Sequence, residues 1–134
     1  MPPRRRTDPA AGAEALTRAL AAVDAGGHPD PADARTATRY LLEELATRVP
    51  GHSVEVRVPP YGVAQCVPGP RHTRGTPPNV VETDPVTWLR VATGRTAWAA
   101  ALATGRLTAS GERGDLSAYL PVRPDDPRSA AAGH

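Results

Sequence analysis

The sequence is short of several residue types. Its 134 residues include no lysine, no isoleucine and no phenylalanine, and asparagine and cysteine occur once each. The missing types have AT-rich codons, whereas the abundant Ala, Arg, Pro and Gly have GC-rich codons, so we interpret the composition as genome bias. All 16 basic residues are therefore arginines, and against 14 acidic residues they leave a formal charge of +2. This charge is too small to make the chain a polycation.

Export, membrane insertion and nucleic-acid binding are each disfavoured by the sequence. The lone Cys66 excludes an intramolecular disulfide and fits a reducing cytoplasm. The arginine run 4–6 resembles the start of a secretory signal, but Asp8 and Glu14 interrupt any apolar stretch behind it. No apolar run approaches the ~20 residues that span a bilayer. Three terminal charges without a recognition motif give only weak affinity for nucleic acid. We expect a soluble cytoplasmic protein.

The length indicates one domain flanked by two tails. A chain of 134 residues is long enough to bury a sizeable core in a single unit. The first seven residues and the small, polar residues at the other end provide little apolar area for burial. We therefore expect disordered tails at 1–7 and 122–134 around a domain that spans 8–121.

Three of the four Asp-Pro pairs in the sequence predict the starts of helices. An aspartate accepts hydrogen bonds from the amides of a first turn, and proline at the first helical position loses no hydrogen bond. Apolar residues at helical spacing follow the first two pairs, and a short helix, VTWLRVATG, follows the third. Asp8-Pro9 is followed by an apolar stripe of Leu16, Leu20 and Val23. Asp30-Pro31 is followed by a stripe of Ala34, Leu41, Leu45 and Val49. The third pair is Asp84-Pro85.

Alternating residues between these helices predict strands. In SVEVRV the valines alternate with charged residues, YGVAQCV resembles the returning strand of a hairpin, and NVVET and RLTAS are shorter strands. TAWAAALATG predicts another short helix with Thr96 as its cap and Gly105 as its end, and Asp115 begins a last turn. This order favours an α+β fold with a mainly antiparallel sheet of about four to five strands and helices packed on one face.

The C-terminal half of the sequence resembles the sterol carrier protein fold. In that family a glycine follows a short helix, a second helix leads to a Gly-basic-apolar triplet, and another glycine closes the next strand. The stretch GRTAWAAALATGRLTASGERGDLSAYLP has these features at Gly94, Gly105-Arg106-Leu107 and Gly111. From about Asp30 to Leu120 the chain resembles the small single-domain sterol carrier-like proteins of actinobacteria. The stretch PPYGVAQCVPGPRHTRGTPPNVVETDP fits that subgroup.

The resemblance implies an apolar tunnel between sheet and helices, which better-known relatives use to hold lipids or acyl groups. Large apolar residues are few here, so we expect a small cavity. Its expected lining consists of Val63, Val67, Trp88, Val91, Trp98, Leu102 and Leu107.

Metals and cofactors are not expected. Some relatives carry the domain behind a four-helix, metal-binding isomerase bundle, but the region before Asp30 is too short for it. The four histidines lie in predicted loops or a tail and have no ligand spacing.

The loop between the second and third strands is the candidate anion site. Arg71, His72 and Arg74 lie between glycines that let backbone amides approach a phosphate or carboxylate. The prolines around them would stiffen the loop. In the alternative interpretation, which is the commoner use of such charges, the two arginines pair internally with acids such as Glu82 or Asp84, or with Glu55.

Catalysis is a distant alternative. Cys66 and His72 are close enough in sequence to form a thiolate–imidazole pair, although a lone strand cysteine is more often a small buried hydrophobe. Zinc binding through His52, Cys66 and His72 matches the spacing of no closed site. The sequence has no glycine-rich phosphate loop, serine nucleophile elbow or paired carboxylates.

Two functions follow from these observations. The first is a non-catalytic binding module for a small lipid-like or acyl ligand, whose anionic head meets the loop containing Arg71 and Arg74. The second is an accessory interaction domain with a closed core, which uses the same loop to dock an acidic protein partner.

Overall fold

A computed structural model describes residues 6–69 and 79–122 of the chain. Within these ranges the fold is α+β, as the sequence predicts. The elements are α1 (Pro9–Asp24), α2 (Pro31–Arg48), β1 (Val54–Val58), β2 (Gly62–Cys66), β3 (Asn79–Thr83), α3 (Pro85–Ala92), α4 (Trp98–Ala103) and β4 (Leu107–Ser110).

The three Asp-Pro pairs begin α1, α2 and α3. The side chains of Asp8, Asp30 and Asp84 each accept a hydrogen bond from a backbone amide of the first turn, at 2.9 to 3.0 Å. These bonds satisfy donors that a helix start leaves unpaired. The cap predicted for α4 is wrong: Ala97, not Thr96, precedes that helix, and no side chain caps it.

The four strands form one sheet in the order β2-β1-β3-β4. β1 pairs antiparallel with β2, and β3 pairs antiparallel with β4. The central pair, β1 with β3, is parallel. The prediction of a mainly antiparallel sheet is therefore confirmed, with one parallel pairing at its centre.

The helices cover one face of the sheet. The register puts Val56 of β1 beside Ala64 of β2 and Val81 of β3, and this face carries the buried strand residues. The opposite face carries Glu55 and Arg57, whose side chains pair at 2.6 Å. Alternation along each strand thus separates a packed apolar face from a polar one.

The helical layer is packed tightly around α2. α1 approaches α2 closely at Gly12, where a Cβ atom would lie 2.5 Å from the ring of Tyr40. α3 is held to α2 by the indole of Trp88, which donates to the backbone carbonyl of Thr38 at 3.2 Å. No helix in the described ranges is long and apolar enough to cross a membrane.

Contacts with the packed helices extend beyond the predicted bounds 8–121 at both ends. Thr7, expected in the first tail, bonds to Glu43 through both its amide and its hydroxyl. Val122, expected in the second tail, is buried, and its amide donates to the carbonyl of Ala92 at 2.9 Å. A backbone bond from Tyr119 to Leu116 closes the last predicted turn.

Candidate functional site

A groove lies between α2 and β2 at the edge of the sheet. Its volume is about 630 Å³. We call it the α2–β2 groove. Its apolar lining comes from both elements and from the turn before β2, and its polar lining includes charged side chains of α2. The apolar lining includes Leu42, Ala46, Tyr61, Val63 and Ala64, and the polar lining includes Arg6, Thr7, Arg39, Glu43 and His52.

The groove exists because β2 is an edge strand over which α2 passes closely. In the described part of the chain β2 pairs only with β1. At Gly62 a Cβ atom would lie 3.1 Å from the Leu42 side chain and 3.6 Å from that of Arg39. A residue without a side chain therefore lets the helix approach the strand. Residues 61–65, from the turn and from β2, line the groove beside this close approach.

Arg39 is anchored beside this opening. Its Nε donates to the backbone carbonyl of Tyr61 at 2.7 Å. Within residues 6–69 and 79–122 its two terminal nitrogens have no hydrogen-bond or carboxylate partner. The guanidinium is thus fixed through one nitrogen, and the others can bind an anion.

Glu43, one turn along α2 from Arg39, has its carboxylate occupied. It accepts from the amides of Arg6 and Thr7 at 3.3 and 3.0 Å, and from the Thr7 hydroxyl at 3.0 Å. Both oxygens of the carboxylate are therefore engaged by the N-terminal segment. His52 is also engaged, because its Nδ1 donates to Gln65 Oε1.

The predicted cavity residues divide into two groups. Five of them belong to one closed core cluster, and none of the five lines the groove: Val67, Trp88, Val91, Trp98 and Leu107. Val63, by contrast, lines the groove with 59% of its surface exposed, and Leu102 is 39% exposed on α4. That any of the seven contacts a ligand stays a prediction.

Arg71, His72 and Arg74 lie outside the described residues, so their role in anion binding stays a prediction. Two of the acids considered as internal partners have other contacts: Glu55 pairs with Arg57, and Asp84 caps α3.

Cys66 has the character of a core residue. Its side chain is fully buried opposite Val54, and burial raises the pKa of the thiol to about 12. The thiol is therefore protonated at neutral pH, which disfavours a thiolate nucleophile. Among the described residues no cluster of three or more His, Cys, Asp or Glu side chains could hold a metal ion.

The sequence did not single out Arg39, Glu43 or Tyr61. The first two are four residues apart on α2 and share a flank of the helix, a spacing typical of a solvated charged face. Tyr61 contributes a backbone carbonyl, for which side-chain type gives no signal. Only the position of α2 over the edge strand β2 brings these residues together around one groove.

Fold and site together define a small α+β domain with one packed sheet face and a mixed apolar and cationic groove at the sheet edge. A family described as bacterial SCP ortholog, that is, sterol carrier protein ortholog, matches residues 30–122. The match covers more than half of the chain, which therefore belongs to this sterol carrier protein-like family, as the sequence motifs predict. No curated protein matches the chain.

Proposed function

We propose that the protein is a non-catalytic carrier of a small lipid-like molecule with an anionic head, held in the α2–β2 groove. Membership of the family suggests a lipid-binding carrier role and favours it over docking of an acidic protein. The observation that carries the proposal is the combination, in one groove, of an apolar wall with the anchored guanidinium of Arg39.

The size and lining of the groove suit such a ligand. Its volume of about 630 Å³ falls within the range of roughly 300–1,000 Å³ that is typical of small-molecule sites. Leu42 and Ala46 form an apolar floor that is almost fully buried, at 2% and 5% exposure, and the accessible apolar surface comes from Ala64 and Val63. Arg39 offers two nitrogens to a carboxylate or phosphate in a planar arrangement.

The charge around the groove also favours an anion. Arg6 and Arg39 both line it, whereas its acid, Glu43, already accepts three hydrogen bonds. An anionic head beside Arg39 therefore gains attraction without displacing an existing ion pair. A neutral ligand would gain only the apolar contacts.

The first experiment is native mass spectrometry of the freshly purified protein, repeated after denaturation. A mass excess that disappears on denaturation would identify a bound amphiphile and its class. The same preparation, stripped of ligand, is then titrated with hexadecanoate by calorimetry, and we expect saturable binding with one site.

Arg39→Gln tests the position of the head, with Arg35→Gln as its control. Arg35 is an exposed arginine one turn earlier on α2 and does not line the groove. We expect the first variant to weaken hexadecanoate binding about tenfold or more, as loss of a charged hydrogen bond would, and the second to leave it unchanged. Equal affinities in the two variants would reject the groove as the head site.

The loop prediction is tested separately by reversing the charges of Arg71 and Arg74 to glutamate. A loss of hexadecanoate affinity additional to that of Arg39→Gln would add the loop to the head site. An unchanged affinity would remove it.

A further inference from the structure

We propose that the Arg6–Thr7 segment is a movable wall of the α2–β2 groove and that Glu43 is the positioning residue that latches it. A role of this wall in ligand exchange rests on the function proposed above. Its control of access to the groove can be tested without any ligand.

The latch consists of one carboxylate that holds two consecutive residues. Oε1 of Glu43 accepts from the amides of Arg6 and Thr7, and Oε2 accepts from the Thr7 hydroxyl. The bonds to Thr7 measure 3.0 Å, and the bond to the Arg6 amide is longer, at 3.3 Å. Both held residues line the groove together with Glu43 itself.

Nothing else in the described ranges fastens this segment by a hydrogen bond or ion pair. The Arg6 side chain is exposed, and Thr7 is only half-buried. In contrast, Ala46, one turn beyond Glu43 on the same flank of α2, is 5% exposed and lines the same groove. The segment is therefore an edge of the groove attached at a single point.

The latch can open without unfolding α1. That helix begins at Pro9, and its first turn is capped by the Asp8 carboxylate, which accepts from Ala11. Its buried residues begin at Gly12, beyond this capped first turn. Loss of the Glu43 bonds thus frees Arg6 and Thr7 and leaves the helix start intact, which is what a hinged wall requires.

Glu43 is poorly explained as a stability device. Its side chain is of intermediate exposure; the bonds to Thr7 are part-buried and the bond to Arg6 is exposed, and hydrogen bonds of this kind contribute about 1 kcal/mol each or less. All three bonds of its carboxylate nevertheless go to a segment that borders the groove. We therefore assign it to the geometry of the site.

The test uses a cysteine placed in the groove. The native Cys66 is buried and its thiol stays protonated, so it gives a silent background in the folded protein. Ala46→Cys introduces a probe on the groove wall, and Val63→Cys introduces a control at a position that is already exposed. Labelling by iodoacetamide is followed at several pH values, which separates a change in thiol pKa from a change in access.

Each probe is combined with Glu43→Ala, with Thr7→Val and with Glu14→Ala. The first removes all three latch bonds, and the second removes one bond and retains the charge. The third removes an exposed glutamate of α1 that has no contact with the groove. We expect Glu43→Ala to accelerate labelling at position 46 about tenfold or more, Thr7→Val to accelerate it less, and Glu14→Ala to have no effect.

Equal labelling rates at position 46 in Glu43→Ala and Glu14→Ala would overturn the proposal, as would equal acceleration at both probe positions. If Ala46→Cys fails to fold, hydrogen exchange of the Thr7 amide replaces it. Faster exchange in Glu43→Ala with an unchanged melting temperature supports the latch, and an unchanged exchange rate rejects it.

Hexadecanoate dissociation and cysteine labelling are measured in separate experiments. We expect hexadecanoate to dissociate faster from Glu43→Ala than from the Glu14→Ala control. Faster labelling without any hexadecanoate binding would retain the movable wall and reject the proposed ligand. Normal binding with unaltered labelling and dissociation would retain the ligand and reject the latch.

Discussion

The two flanks of α2 differ in how completely they are covered. One flank packs Leu41 and Leu45 against the rest of the core, and both side chains are fully buried. The other flank carries Arg39 and Glu43, which face the groove and bind backbone groups of distant segments. A single helix thus contributes to the closed core and to the open site.

This contrast shows where the fold has room for a ligand. Most of the side chains expected to line a tunnel between sheet and helices are instead packed in the core. Trp88 and Leu107, for example, are at most 2% exposed. Space remains where α2 leaves the edge of β2 uncovered. The fully buried side chains of the core flank therefore determine stability, whereas Arg39 and Glu43 on the groove flank contribute polar groups to the groove.

Truncating the core should have the largest effect on stability. Trp88 is 1% exposed, and its indole also bonds to α2. Trp88→Ala is expected to lower the free energy of unfolding by about 3–5 kcal/mol, from lost burial and the cavity left behind. Arg39→Gln, on the groove flank, should change it by less than about 0.5 kcal/mol. Urea unfolding measures both variants. Similar losses of unfolding free energy in the two would contradict the proposed difference between the core flank and the groove flank.

Adding one methyl group between α1 and α2 should have the next largest effect. Gly→Ala normally stabilises a helix by about 1 kcal/mol, but at Gly12 the new Cβ would lie 2.5 to 2.9 Å from atoms of Tyr40. We expect Gly12→Ala to destabilise the protein by about 1–3 kcal/mol. Thermal unfolding with a double-mutant cycle that includes Tyr40→Ala should attribute the loss to this contact. A more stable Gly12→Ala variant would contradict it.

Removing one buried hydroxyl should stabilise the core. Thr38 is fully buried, and in the described structure its Oγ1 has no hydrogen-bond partner. Thr38→Val retains the shape and removes that desolvation cost, so we expect a gain of about 1 kcal/mol. The matched control is Thr93→Val, because the buried Thr93 hydroxyl donates to Leu89 at 2.7 Å. Chemical unfolding should show a gain for the first variant only.

The smallest expected effect is the pH dependence of a surface pair. Asp24 accepts two hydrogen bonds from Arg95, at 2.8 and 2.9 Å, and the bond to Arg95 holds the pKa of the Asp24 carboxyl below its usual value. Because the folded pKa is the lower one, its stabilisation is complete above the unfolded pKa and disappears as the pH falls through the folded pKa.

The side chain of Asp24 is 50% exposed, so the contribution should stay below about 1 kcal/mol. Asp24→Asn should cost this amount at neutral pH and nothing at the acid end of a pH series of urea unfolding curves. Arg95→Gln should remove the same pH-dependent component. If the difference in free energy of unfolding between wild type and Asp24→Asn grew as the pH fell, the assigned direction of the pKa shift would be wrong.

The sequence predicts features that depend on neighbouring residues. The caps at Asp8, Asp30 and Asp84 are local, and all three are found as expected. The parallel pairing of β1 with β3 joins distant segments, and alternation within a strand carries no information about its partner.

Val63 and Val67 show why residue spacing alone does not predict which side chains line the candidate site. Four residues apart, they share a face in a regular strand, and both were expected to line one cavity. In the structure Val67 has a φ of 68°, which takes it out of the strand geometry and into the core, while Val63 stays exposed. The groove itself depends on how α2 lies over Gly62, a tertiary relation that the spacing of charges does not reveal.

The parallel pairing at the centre of the sheet also has a consequence for the order of folding. β1 and β2 are joined by a tight turn, closed by a bond from the Tyr61 amide to Val58, whereas β1 meets β3 only after a long connection. Closing that connection costs entropy before any pairing compensates it. We therefore expect the α1–α2 pair and the β1–β2 hairpin to form early and β3 to join late. Kinetic φ-values near zero for Val81→Ala, with higher values for Val56→Ala, would show this sequence of events.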